Sequence, residues 1–473
     1  MNKPIRRVFY VVVALFTLLA VYTARWTVIE AQSLNQNALN RLPAQKQQKQ
    51  PRGAIYTANG GALARSRRTA DGTYVRAYPL GSLFAHPVGY SYAVRGQNGL
   101  EKYYNDRLTG EVESFTSILD SLLGRGGEEQ SMVTNLDRGA QSLATNLMAG
   151  RSGAVVVIEP STGRVPVYVS VPGYDPAALR TDAGANELFN NRRSPLVDRV
   201  SDATYPPGST FKVVTATAAL DSGLLTPEGT VDGSSPQTFS GQPLANFGGT
   251  NYGQVTLSGA LQNSVNTAFG NIGVDLGEDT MLDYMERYGF YNPPPVDLPA
   301  GGLLSSGLRD AEGDLLAADS GADLARLAIG QERLAVTPIQ MATVAATVAN
   351  DGIRMEPRLA RLFRDRLGRV KKRIDPERAE RVMTRKTASE LNEMMRRVVE
   401  GGTGQAANVG NLRMAGKTGT AEVPGGNQAW FIGFAPYDDP QYAIAVTIEK
   451  TDGFGGTVAA PVARDVLQDL LGQ

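Results

Sequence analysis

The sequence predicts an α+β fold carried behind one membrane-spanning helix, and three observations point to it. Strand-like runs open and close residues 151–473 while helical patterns fill the middle, so one sheet is completed by the chain's return around a large helical insertion. A run of 17 uncharged residues, Val8 to Ala24, lies near the start. Between them sits a region of about 100 residues, enough for one small domain. The expected divisions are 1–30 for a cytoplasmic stub and anchor, 31–150 for a linker and small domain, and 151–473 for the main domain.

Each element has its own reason. At about 1.5 Å per residue, Val8–Ala24 spans roughly 25 Å, the short end of a membrane helix. Lys3, Arg6 and Arg7 precede it, which places the N-terminus in the cytoplasm and the rest outside, and Trp26 sits where an interfacial aromatic belongs. Cleavage as a signal peptide after Ala24 would set bulky Tyr22 where a small residue is wanted, which favours an uncleaved anchor. The polar stretch Gln45 to Pro51 reads as a tether. Short strand-like runs follow at Ala54–Tyr56 and Tyr74–Tyr78, with a helical stretch at Val112–Leu123.

In the main domain, Ala154–Ile158 and Val165–Val171 read as strands joined by a turn at Pro160–Gly163. Helical patterns cover Phe211–Ser222, Leu257–Thr267, Pro338–Ala349 and Ala388–Val399. Strands return at Gln428–Phe434 and Tyr442–Glu449, before a closing helix around Val458–Leu471.

Composition narrows the chemistry. With 47 Lys+Arg against 47 Asp+Glu the net charge is zero, so no overall field recruits nucleic acid. No Cys removes thiol nucleophiles, thiolate metal sites and disulfides. One His leaves a Ser-His-Asp triad only if His86 is its base, and His86 lies in the small domain with no evident catalytic partner. Oxygen nucleophiles, carboxylates and lysines remain.

Three short motifs carry those groups. Pro206-Pro207-Gly208-Ser209-Thr210-Phe211-Lys212 opens a helix, and residues three apart share a helix face, so Lys212 projects beside Ser209. A desolvated lysine near the positive helix end has a depressed pKa and can take a serine proton. Ser264-Val265-Asn266 follows the helical stretch Leu257–Gln262 and turns two polar side chains toward one cleft. Lys417-Thr418-Gly419-Thr420 reads as a strand that, at a sheet edge, would accept an extended peptide, with Lys417 supplying charge for a substrate carboxylate. Singly, each is equally a helix cap, a turn or a surface strand. Competing signatures fail. A phosphate loop ending at Gly416-Lys417-Thr418 needs Gly where Asn411 stands, and Gly402-Thr403-Gly404 lacks the preceding strand of a dinucleotide fingerprint.

The ordered triplet Ser-x-x-Lys, Ser-x-Asn, Lys-Thr-Gly resembles that of the penicillin-interacting serine enzymes. Further segments make the chain similar to the class B penicillin-binding proteins, the monofunctional peptidoglycan transpeptidases, and to their actinobacterial-type members. They are Arg52-Gly53-Ala54-Ile55, Gly99-Leu100-Glu101 with Tyr104 and Leu108-Thr109-Gly110, Gly153–Val165, Gly330-Gln331 with Val336-Thr337-Pro338, Gly401–Gly404 and Trp430–Pro436. The resemblance implies a transpeptidase domain with an antiparallel sheet flanked by helices plus a helical subdomain, above a small pedestal domain. It implies Ser209 as acylated nucleophile, Lys212 as general base, Ser264 as proton relay and Asn266 as holder of the substrate amide. Lys417, Thr418, Gly419 and Thr420 would bind the donor, and the N–H groups of Ser209 and Thr420 would form the oxyanion hole.

The implied reaction cross-links peptidoglycan stem peptides, with β-lactams trapping Ser209 and no cofactor or metal required. The expected partners are the stem peptides, the cytoplasmic membrane and a SEDS-type membrane glycosyltransferase, because about 100 residues cannot hold a polymerising domain. A class A β-lactamase would need a Glu-x-x-x-Asn between Asn266 and Lys417, and there is none. A D,D-carboxypeptidase uses the same residues with water as acceptor. A non-catalytic scaffold has little need of Ser209, Lys212 and Lys417 together.

Overall fold

The computed structural model describes residues 3–26, 49–110, 128–318 and 320–472. The helix expected at Val112–Leu123 lies outside the described residues, as does most of the tether. Helix α1, Lys3–Ala24, is long and apolar enough to cross a membrane and takes in the three basic residues before the apolar run.

The pedestal strands are β1 (Ile55–Tyr56), β2 (Ala62–Arg68), β3 (Tyr74–Ala77) and β4 (Ser131–Thr134), with helix α2 (Arg138–Leu147) after them. Two of the segments singled out by resemblance meet here. Glu101 is fully buried between two guanidiniums, at 2.6 Å from Arg52 Nε and 2.6 Å from Arg76 Nε. Burial alone would raise its pKa, but Arg76 and Arg52 outweigh that and hold the carboxyl ionised. Arg76 also donates to Gly53 O at 2.9 Å. The Arg-Gly and Gly-Leu-Glu segments are thus two halves of one buried ion cluster that closes the pedestal.

In the main domain, β5 (Gly153–Ile158) and β6 (Val167–Val171) are followed by helices α3 (Lys212–Asp221), α4 (Leu257–Gln262), α5 (Asn266–Arg287) and α6 (Pro338–Ala349). Then come β7 (Ala360–Arg364), β8 (Val370–Arg373), α7 (Arg385–Gly401), β9 (Ala415–Val423), β10 (Gly426–Ala435), β11 (Tyr442–Thr451) and α8 (Ala460–Leu471). The central sheet runs β9-β10-β11-β5-β6, every neighbour antiparallel, so the returning C-terminal strands complete the sheet begun by β5 and β6. Both faces are covered, which is why β5 is a continuous apolar run. Val156 packs into the core that includes α6, and Val155 and Val157 into the one that includes α8.

Two elements depart from the sequence reading. The helix expected over Leu257–Thr267 is broken, ending at Gln262 and restarting at Asn266, with Ser264 in left-handed backbone at φ 58°. Leu257, Leu261 and Val265 are all buried, so the apolar period runs on through the break and hides it. The pedestal sheet is also not confined to 31–150. Its order is β8-β7-β4-β1-β2-β3, with two strands supplied from deep in the main domain's sequence. The buried Asp297 carboxylate anchors this crossover, accepting from Leu359 N at 2.6 Å, Ala360 N at 2.7 Å and the Tyr104 hydroxyl at 3.1 Å.

Removing the shared carboxylate should strand two guanidiniums inside the pedestal. Glu101→Ala is expected to lower unfolding stability by about 3–5 kcal/mol in a denaturant titration. A loss below about 1 kcal/mol would contradict the assigned role of the cluster.

Candidate active site

The nucleophile candidate sits on a tight turn. Gly208–Phe211 form one turn of 3-10 helix, and Lys212 begins α3 directly after it. Gly208 has φ 52°, open to glycine at little cost, and a Cβ there would stand 2.8 Å from Thr420 O. Across the interface, a Cβ on Gly419 would stand 2.7 Å from Pro207 O and 3.0 Å from Thr210 N. The two glycines let the turn lie directly on β9, bringing the backbones of Ser209 and Thr420 together. Further bonds fix the approach: Trp430 Nε1 donates to Pro206 O at 3.0 Å, Gly208 N to Gly330 O at 3.0 Å and Thr210 Oγ1 to Pro207 O at 2.8 Å. Ser209 itself remains part-exposed.

The break before α5 supplies the opposite wall. Val265 turns inward, while Ser264 and Asn266 point to the cleft. Lys212 Nζ lies 2.8 Å from Ser264 O, 2.8 Å from Asn266 Oδ1 and 3.3 Å from Ser264 Oγ. The lysine is therefore hydrogen-bonded to the second motif and not to Ser209 in this state. Catalytic hydrogen bonds often tighten only when substrate binds, so the shared helix face remains the relevant geometry.

β9 is an edge strand, as peptide addition requires. Lys417, however, is fully buried. Its Nζ donates to Ser264 Oγ at 3.0 Å and to Thr418 O at 2.9 Å, so its charge reaches the cleft through Ser264. Thr418 Oγ1 is paired with Thr403 Oγ1 at 2.6 Å, and Thr420 Oγ1 accepts from Gly455 N at 3.0 Å, leaving its own proton to donate.

The electrostatics follow from burial. Desolvation, and then the neighbouring Lys417, hold Lys212 well below the ordinary lysine range. Desolvation alone lowers Lys417 to about 7. Lys212, penalised twice, is the one that gives up its proton first. No group of three His, Asp or Glu side chains suited to a metal occurs among the described residues.

Sequence reasoning placed Ser209, Lys212, Ser264, Asn266, Lys417, Thr418, Gly419 and Thr420, and the fold gathers all of them. It missed Thr403 and Gly455, which sit in glycine-rich turns outside the three motifs. The Gly401–Gly404 run was the available signal, and only the folded contact with Thr418 gives it a role.

Comparisons with known proteins identify the family. Residues 153–468 match the penicillin binding protein transpeptidase domain, and residues 52–131 match the penicillin binding protein A dimerisation domain. The chain belongs to the penicillin-binding protein transpeptidase family. It is 34% identical to the peptidoglycan D,D-transpeptidase PbpA of Mycolicibacterium smegmatis over 98% of each chain. It is 32% identical to that of Mycobacterium tuberculosis over 100% of this chain and 99% of the relative. The penicillin G acyl-enzyme complex of penicillin-binding protein A from M. tuberculosis superposes with a TM-score of 0.78 at 30% identity, covering 89% of this chain and 100% of that one. A D,D-transpeptidase domain from Eggerthella lenta gives a TM-score of 0.78 at 33% identity, covering 90% and 99%.

The close approach of the turn to β9 is testable at its glycines. Gly419→Ala should cost about 1–3 kcal/mol of stability by forcing the two segments apart. Gly410→Ala, where a Cβ meets nothing within 4 Å, should stay within about 0.5 kcal/mol. Equal effects in thermal melts would argue against the packing.

Proposed function

We propose that the chain is a membrane-anchored peptidoglycan D,D-transpeptidase acting through a serine acyl-enzyme at Ser209. The observation that carries this reading is the convergence of two buried lysines on Ser264, on the cleft face that Lys212 shares with Ser209. A stem peptide ending in D-Ala-D-Ala lies along β9. Ser209 Oγ attacks the penultimate carbonyl while Lys212, neutral, takes the hydroxyl proton. The developing oxyanion rests on the Ser209 and Thr420 N–H groups, a contribution of about 3–4 kcal/mol per donor in comparable acyl-transfer sites.

Collapse breaks the amide. The leaving D-Ala amine takes a proton relayed from Lys212 through Ser264 Oγ, whose hydroxyl stays oriented by Lys417. Asn266 is tied by its Nδ2 to Ala245 O at 3.0 Å and holds the donor's amide. An amine from a neighbouring stem then attacks the ester and gives its proton to Lys212 by the same route; Lys212 returns a proton to the departing Ser209 Oγ, leaving cross-linked peptide and free Ser209. The charge that Lys417 keeps near neutral pH favours a donor ending in carboxylate, whose oxygens meet the Thr420 and Thr418 hydroxyls. β-Lactams enter the same path and stop at the ester.

The basic residues Lys3, Arg6 and Arg7 at the head of α1 orient the main domain to the outside. In this reading glycan polymerisation falls to a separate enzyme, a SEDS-type membrane glycosyltransferase.

Incubating the full chain with labelled penicillin tests the assignment. Wild type should label and Ser209→Ala should not, while Lys212→Ala should acylate roughly 10²–10⁴-fold more slowly at neutral pH. Equal labelling of wild type and Ser209→Ala would refute the site. Stem peptides supplied with and without an amine acceptor separate cross-linking from simple hydrolysis, and products from water alone would assign a carboxypeptidase.

A further inference from the structure

Two exposed phenylalanines meet across the mouth of the cleft. Phe247 is 78% exposed and Phe454 45% exposed, yet their ring centroids lie 5.5 Å apart at an interplanar angle of 79°, an edge-to-face pair. They come from segments far apart in sequence, each attached to a different wall of the site. Asn246 Oδ1 accepts from Thr267 N, and Ala245 O accepts from Asn266 Nδ2, so Phe247 rides on the Asn266 wall. Gly455 N donates to Thr420 Oγ1, and a Cβ on Gly455 would collide with Trp430 and Gly419 backbone, so Phe454 rides on β9. The ring contact therefore bridges the two walls.

The two sides are not held alike. Phe454 N donates to Thr457 Oγ1 and its base is packed tightly. Phe247 is followed by Gly248 and Gly249, both at positive φ with open space around them. The Phe247 side is the less tightly packed of the two, and Phe454 is the ring it meets. Isolated surface phenylalanines need no explanation, but a pair that spans a catalytic cleft does.

We propose that Phe247 and Phe454 are positioning residues that roof the acyl-enzyme and set its partition between amine and water. This rests on the acyl-transfer reading of Ser209. After D-Ala leaves, the ester carbonyl can be attacked by water, giving a free carboxylic acid and Ser209, or by an amine, giving an amide and Ser209. An apolar roof bridging Asn266 and β9 restricts bulk water above the ester. An acceptor stem brings its own binding contacts and can displace the less tightly packed Phe247 ring.

The test uses the full chain in detergent with a D-Ala-D-Ala-terminated stem peptide as donor and D-methionine as amine acceptor, so that the aminolysed product differs from the donor, normalised to active sites titrated with labelled penicillin. Phe247→Ala and Phe454→Ala should each lower the ratio of aminolysed to hydrolysed product by about 2- to 10-fold, the span expected of one aromatic pair. Each should shorten the lifetime of the penicilloyl ester. Because either change removes the same contact, the double variant should add little, and Phe247→Tyr should restore the ratio. An unchanged ratio and ester lifetime in the double variant, with labelling intact, would overturn the roof. Absence of labelling in wild type would instead overturn the reading beneath it.

Discussion

Two buried lysine nitrogens, one on α3 and one on β9, sit within 3.3 Å of a single serine oxygen, Ser264 Oγ. Sharing one oxygen keeps them no more than about 6 Å apart, where at an effective dielectric near 20 two ammonium groups repel by roughly 3 kcal/mol or more, worth about two pKa steps. Burial is the larger penalty on both amines, and the repulsion adds to it at Lys212. The site resolves the conflict asymmetrically: Lys212 carries the extra penalty of its neighbour and becomes the base, while Lys417 keeps the remaining proton and points it at Ser264. A neutral amine has one lone pair and two protons. Lys212 can therefore donate to Ser264 O and Asn266 Oδ1 and still accept a proton. Histidine is unnecessary to such a device, and a chain with one histidine and no cysteine can run acyl-transfer chemistry on it.

Much of the surrounding fold keeps this pair dry and registered. The edge strand β9 presents Lys417 inward, opposite Ile432 on β10. The Ser209 turn is pinned onto that strand by Gly208 and Gly419 and held behind by Trp430. Trp430 in turn packs edge-to-face on Tyr205, whose hydroxyl donates to Glu449 Oε1 at 2.6 Å. These contacts join residues more than two hundred positions apart, which is why the three motifs are scattered along the chain yet meet at one point.

The parts legible in the sequence were those governed by local rules. Continuous apolar runs marked β5 and β11, and the apolar pattern from Pro338 marked α6. The break at Ser264 was not legible, because Leu257, Leu261 and Val265 preserve the helical period through it. The partner of Lys212 was not legible either, since spacing points it toward Ser209 while the fold supplies Ser264 and Asn266 from fifty positions away. The pedestal shows the same limit. Asp297 and Tyr104 draw β7 into a sheet begun three hundred residues earlier, and no local pattern announces that pairing. The role of Glu101 likewise becomes visible only when Arg52 and Arg76 are seen around it.

The pH dependence of the second-order rate of Ser209 acylation by a penicillin tests the shared-proton account most directly. Lys212 must have lost its proton, so acylation should already be fast near neutrality. Lys417 must have kept its own, so the rate should fall as pH rises through about 7. A bell-shaped profile with that descending limb is the predicted result. A rate that climbs steadily toward pH 10, as an ordinary lysine base would require, would contradict it.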